Sequence, residues 1–103
     1  MFSKRERLPR AQFEKALKTR QRVSSVNFLL LAPENTQGYA VVIPKKVIRL
    51  SSTRHRLKRQ ILEVLRALSL PSALIVFPRS TAGSVNYQDM TKELNTLLSK
   101  IHT

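Results

Sequence analysis

Apolar positions along the chain switch between helical and strand spacing, and each switch marks an element. Phe13, Ala16 and Leu17 fall at i, i+3 and i+4, the spacing of one helix face. Pro9 suits a first helical position, where its missing N–H costs nothing. The pattern predicts a short amphipathic helix over 9–18, ended by Thr19 to Gln21. Val23 to Ala32 reads as strand, most apolar over Val26 to Leu31. A further short strand around Arg22 and Val23 is compatible with the sequence, although no pattern signals it. Pro33 to Gly38, with Asn35, is a turn-rich connector. Tyr39 to Ile43 is a second strand, ended by Pro44 and expected to pair antiparallel with the first.

A longer helical pattern follows. Leu57, Ile61, Val64, Leu65 and Leu68 form one stripe at i, i+4, i+7, i+8 and i+11. Ser51, Ser52 and Thr53 are candidate N-caps. Arg54, Lys58 and Arg66, with Arg56 and Arg59, lie off the stripe, and Leu62 interrupts the polar face. Pro71 stops the pattern. Ala73 to Phe77, apolar and bounded by Pro71 and Pro78, reads as a buried strand. Arg79 to Val85 reads as a loop. Asn86 is placed to cap a last helix over 87–101, whose stripe is Met90, Leu94, Leu97, Leu98 and Ile101. The order is α, two or three strands, α, β, α, which predicts an α+β two-layer sandwich. With 103 residues, the expectation is a single domain over 1–103.

Charge sharpens this picture. The 19 Lys and Arg against 6 Asp and Glu leave a net charge of +13. The excess sits in two blocks: residues 1–22 sum to +6 and residues 45–66 to +7, while the rest sum to zero. Solvated helix faces usually carry interspersed acids, which are scarce here, so a polyanionic partner is the better reading. Lys4, Arg5 and Arg7 suggest a flexible basic arm over 1–7.

Several chemistries drop out. There is no cysteine, hence no disulfide framework and no thiolate nucleophile. No apolar run is long enough to span a membrane, and no apolar segment follows the basic N-terminus as in a secretory signal. The expected location is the cytoplasm. The acids Glu6, Glu14, Glu34, Glu63, Asp89 and Glu93 are scattered in sequence, suggesting no carboxylate pair for metal-assisted phosphodiester hydrolysis. His55 and His102 make no ligand spacing, and the glycines Gly38 and Gly83 make no phosphate loop. No metal ligand or catalytic residue is assigned.

The densest feature is Arg54-His55-Arg56-Leu57-Lys58-Arg59, in which five of six residues donate to phosphates and Leu57 anchors inward. Lys45 and Lys46 extend it upstream. Together with Arg7-Leu8, Phe13, Pro44-Lys45-Lys46, the Ala73 to Phe77 strand, Arg79 and the last amphipathic helix, this order resembles the protein component of bacterial ribonuclease P, from about Arg7 to Ile101. His55 stands where that family usually carries Asn.

The resemblance implies an α-β-β-β-α-β-α sandwich with a left-handed crossover around the long helix. It implies an accessory role in an endoribonuclease whose catalytic subunit is an RNA, removing the 5′ leader of precursor tRNA with Mg²⁺ bound mainly by the RNA. RNA binding is then expected at Lys45, Lys46, Arg54, His55, Arg56, Lys58 and Arg59. A leader cleft between the first helix and the sheet is expected at Phe13, Leu17 and Leu31, the last two standing where relatives carry aromatics. The expected partners are the catalytic RNA and precursor tRNA, with no membrane and no obligatory protein partner. Two other classes share the charge and size. A ribosomal or other structural RNA-binding protein would work without turnover. A toxin-like, mRNA-cleaving ribonuclease would need its own acid and base.

Overall fold

A computed structural model describes residues 17–18, 21–33, 38–68, 70–71 and 73–101. Its elements are β1 (Arg22–Ser24), β2 (Phe28–Leu31), β3 (Gly38–Val41), α1 (Ser51–Arg66), β4 (Ala73–Pro78), a 3-10 turn (Ser80–Ser84) and α2 (Tyr87–Ser99). The helix expected over 9–18 lies outside the described residues except for Leu17 and Lys18, and the arm over 1–7 lies wholly outside them.

The strands form one sheet in the order β1-β2-β4-β3. β2 pairs antiparallel with both β1 and β4, whereas β3 and β4 are parallel. The expected hairpin between the 26–31 and 39–43 segments is therefore absent, because β4 lies between them. The reason is burial. Ile75 and Val76 face opposite sides of the sheet and both are 0% exposed; a strand this apolar is suited to the centre of the sheet, where β2 and β3 pair with both of its edges and their side chains flank it on both faces. β3 and β4 then need a crossover, and α1 supplies it. The stretch read as one strand from Val23 to Ala32 breaks at Ser25–Asn27, where Ser25 N donates to Phe28 O at 2.8 Å and reverses the chain from β1 into β2.

Side chains alternate across the sheet. Phe28, Leu30, Val41, Leu74 and Val76 join Leu57, Ile61, Val64 and Leu65 of α1 and Met90, Leu94 and Leu97 of α2 in the main core. Leu31 and Ile75 turn to the opposite face, with Leu29, Ala40, Val42 and Phe77 packed around them. Gly38 opens β3 at φ 123°, a conformation that favours a residue without Cβ.

The stripes read from the sequence are the buried faces. Leu62 flanks the α1 stripe and packs half-buried against the core. None of Ser51, Ser52 and Thr53 is the N-cap. That position is Leu50, extended at φ −74° and ψ 122°, with no side-chain cap, so the three hydroxyl residues fall inside the first turn. α1 ends at Arg66, and Leu68 packs against the core beyond it. At α2 the expected cap is present: the Asn86 side chain accepts from Asp89 N at 2.8 Å. α2 stops at Ser99, and Ile101 is buried just past its end. Among the described residues no helix is long and apolar enough to cross a membrane.

Candidate nucleic-acid interface

The link from β3 to α1 is folded so that its cations point outward. Val47 N and Ile48 N both donate to Pro44 O, at 3.0 and 3.2 Å, which closes a turn over 44–48. Ile48 joins the core. Lys45, Lys46 and Arg49 are left exposed.

Arg54 fixes this link to the helix. Its Nη1 donates to Ile48 O and Arg49 O, each at 2.8 Å. At about 3.6 residues per turn, Arg54 lies beside the buried stripe of α1, and it is half-buried. Its first duty is therefore to the protein's own backbone. His55, Arg56, Lys58 and Arg59 are exposed. Arg56 makes one long contact, 3.5 Å to Gly83 O. The first turn of α1 holds no acid, and Glu63 is the only carboxylate on the helix. Lys45, Lys46, Arg49, Arg56, Lys58 and Arg59, with His55 among them, thus form a cationic ridge along the turn and the first half of α1.

Beside the ridge runs an open groove of about 530 Å³, lined by Val26, Leu29, Val47, Phe77 and Pro78 with Lys46, Arg79, Ser80 and Thr81. Leu29 and Phe77 are neighbours in the β2–β4 register on the sheet face opposite the main core. Phe77 is half-buried and Arg79 is exposed. Val26, 78% exposed, stands in the turn between β1 and β2. An apolar wall with cations beside it suits a single nucleic-acid strand, whose bases take the apolar surface and whose phosphates take the charge.

Of the expected cleft residues, Phe13 lies outside the described residues. Leu17 is 37% exposed and Leu31 only 3%. Leu31 does not line the groove; its face-mates Leu29 and Phe77 do. Phe77 and Val26 escaped the sequence reading because they look like core residues in apolar strand runs. Only the register shows that β4 turns Phe77 to the second face and that Val26 is a turn residue. Phe28 is core at 0% exposure. Tyr39 packs against the core and donates from its hydroxyl to Pro71 O at 2.8 Å. Among the described residues no three His, Asp or Glu side chains gather as metal ligands.

A family profile described as Ribonuclease P matches residues 2–102. A comparison with curated protein sequences finds no significant match. Among solved structures, the ribonuclease P protein from Thermotoga maritima is similar at a TM-score of 0.79 and 24% identity, over 95% of this chain and 99% of that one. The Staphylococcus aureus ribonuclease P protein gives 0.71 and 20%, over 88% and 89%. A mutant of the latter, described as having defective mRNA degradation activity, gives 0.79 and 21%, over 96% and 92%. These structural likenesses establish the shared α+β fold, and the match over residues 2–102 assigns the lineage: the chain belongs to the ribonuclease P protein family.

Proposed function

We propose that this chain holds the catalytic RNA of ribonuclease P on its cationic ridge and the 5′ leader of precursor tRNA in the adjoining groove. The observation that carries the reading is the position of Lys46, which belongs to the ridge and also lines the groove. One chain can therefore bridge a folded RNA and a single strand leaving it. The ridge contributes exposed donors to phosphates. In the groove, Lys46 and Arg79 pair with the leader's phosphates, while Phe77, Leu29 and Val26 meet its bases. The protein binds and orients; the RNA performs the hydrolysis and holds most of the Mg²⁺. The working compartment is the cytoplasm, with no membrane and no obligatory protein partner.

The test is processing of a labelled precursor tRNA at low Mg²⁺, with the purified protein, the host's own ribonuclease P RNA, or both. Cleavage at the mature 5′ end only with both together supports the reading. No gain over RNA alone overturns it in favour of a structural RNA-binding protein. An mRNA substrate in the protein-alone arm covers the third class, in view of the activity named for the Staphylococcus aureus mutant. Efficient cleavage there would show that the chain carries its own acid and base.

A further inference from the structure

The mechanism above leaves one unusual side chain unused. Glu93 is the α2 residue whose carboxylate reaches the turn between β1 and β2. Ser25 Oγ donates to its Oε2. Asn27 N donates to Oε2 at 3.0 Å, and Asn27 Nδ2 donates to Oε1 at 2.7 Å. Both carboxylate oxygens are thus engaged with a three-residue turn. Partial burial pushes the carboxyl up, but the hydrogen bonds from Ser25 and from the side chain and backbone of Asn27 together outweigh it and hold the group below its ordinary value.

The turn is not an isolated tip. Asn27 O accepts from Arg79 N at 2.8 Å, and Val26 O accepts from Thr81 Oγ1 at 3.3 Å. The Asn27 residue is therefore held at its N–H by Glu93 and at its carbonyl by Arg79. Arg79 and Thr81, like Val26 between the two tethers, line the groove. A carboxylate on the far helix is connected by two consecutive hydrogen bonds to the backbone that carries Arg79, one of the groove's two cations.

We propose that Glu93 is a positioning residue for leader binding, locking the Ser25–Asn27 turn so that Val26 and Arg79 stand at the groove in fixed register. The proposal rests on the groove being the leader site. Glu93 itself touches no RNA. It acts because a turn with two peptide groups tied to its neighbours transmits position, whereas a frayed turn would let the Arg79 segment shift away from the phosphates.

The experiment uses the complex reconstituted with the host's ribonuclease P RNA. Affinities for precursor tRNA and mature tRNA are measured for wild type, Glu93→Ala, Glu93→Gln, Arg79→Ala and the Glu93→Ala/Arg79→Ala double variant. Glu93→Ala is expected to weaken precursor tRNA by about three- to tenfold, the size of one charge-assisted contact, and to leave mature tRNA unchanged. Glu93→Gln, which keeps one acceptor oxygen, should lose less. The double variant should lose clearly less than the sum of the two single losses, since Glu93 acts in part through the Arg79 contact. Amide exchange at Arg79 should quicken in Glu93→Gln, a readout available even if the alanine variant folds poorly. Equal weakening of both tRNAs, additive losses, or unchanged exchange at Arg79 would reduce Glu93 to a fold staple and overturn the proposal. If Arg79→Ala weakens precursor tRNA but the Glu93 variants do not, only the role of Glu93 falls. If Arg79→Ala has no effect, the groove reading falls and takes this proposal with it.

Discussion

Replacing Arg56 and Lys58 together by glutamine removes two charges from the middle of the ridge without disturbing the core. Both side chains are exposed, and the long contact from Arg56 to Gly83 O is weak. Stability should therefore change by less than about 0.5 kcal/mol. Each side chain can neutralise one phosphate, and a solvent-exposed contact of this kind contributes about 1 kcal/mol. Losing two weakens the catalytic RNA by about 30-fold. The salt dependence is the sharper signature. Each phosphate contact adds about 0.7–0.9 to the slope of log K against log salt, so the double variant should flatten it by about 1.5. Over a fourfold rise in salt, the wild type then loses roughly eightfold more affinity than the variant. Fluorescence anisotropy of labelled RNA over a salt series measures both quantities, with a thermal melt as the control. Unchanged affinity and slope would remove the ridge from the interface. Weaker binding at an unchanged slope would mean that these residues act other than through phosphates.

Three other expectations are independent of that one. Arg54→Met should lower stability by about 1–2 kcal/mol, because it removes the donor shared by Ile48 O and Arg49 O; a melting temperature equal to wild type would show that the link needs no such tie. Phe77→Leu keeps an apolar contact on the second sheet face while removing the ring. It should weaken precursor tRNA by about 1–3 kcal/mol relative to mature tRNA, the range of one base–aromatic stack, and equal affinities for the two would contradict the groove. For Glu93, a carboxyl held below its ordinary value of 4.5 favours the folded state when ionised. That contribution is complete above the ordinary value and is lost as pH falls through the lower folded value. The stability gap between wild type and Glu93→Gln in urea melts should accordingly be constant from neutral pH down to about 5 and shrink below it; a gap that widens in acid would reverse the sign.

The protein's local elements and its charge were legible in the residues themselves. The stripe from Leu57 to Leu65, the apolar run of β4 and the Asn86 cap rest on neighbours a few residues apart, and spacing expresses those directly. The cationic cluster was equally plain, since the position of a charge along the chain survives folding. Strand pairing was not. β2 and β3 are close in sequence, yet β4 separates them, and the apolar run of β4 takes the central position with a paired neighbour on each edge. Side-chain duty was not legible either. Arg54 and Lys58 look alike on a helix four residues apart, but the turn anchored by Ile48 brings two carbonyls to Arg54 and leaves Lys58 in solvent. The groove joins Val26, Lys46 and Phe77, from three separate segments, and Glu93 meets Ser25 and Asn27 across more than 60 residues. Sequence alone determined which segments fold locally and where the positive charge gathers. The long-range packing of the sheet decided which cations stay exposed and where an apolar wall stands beside them, since those outcomes depend on contacts that no local spacing records.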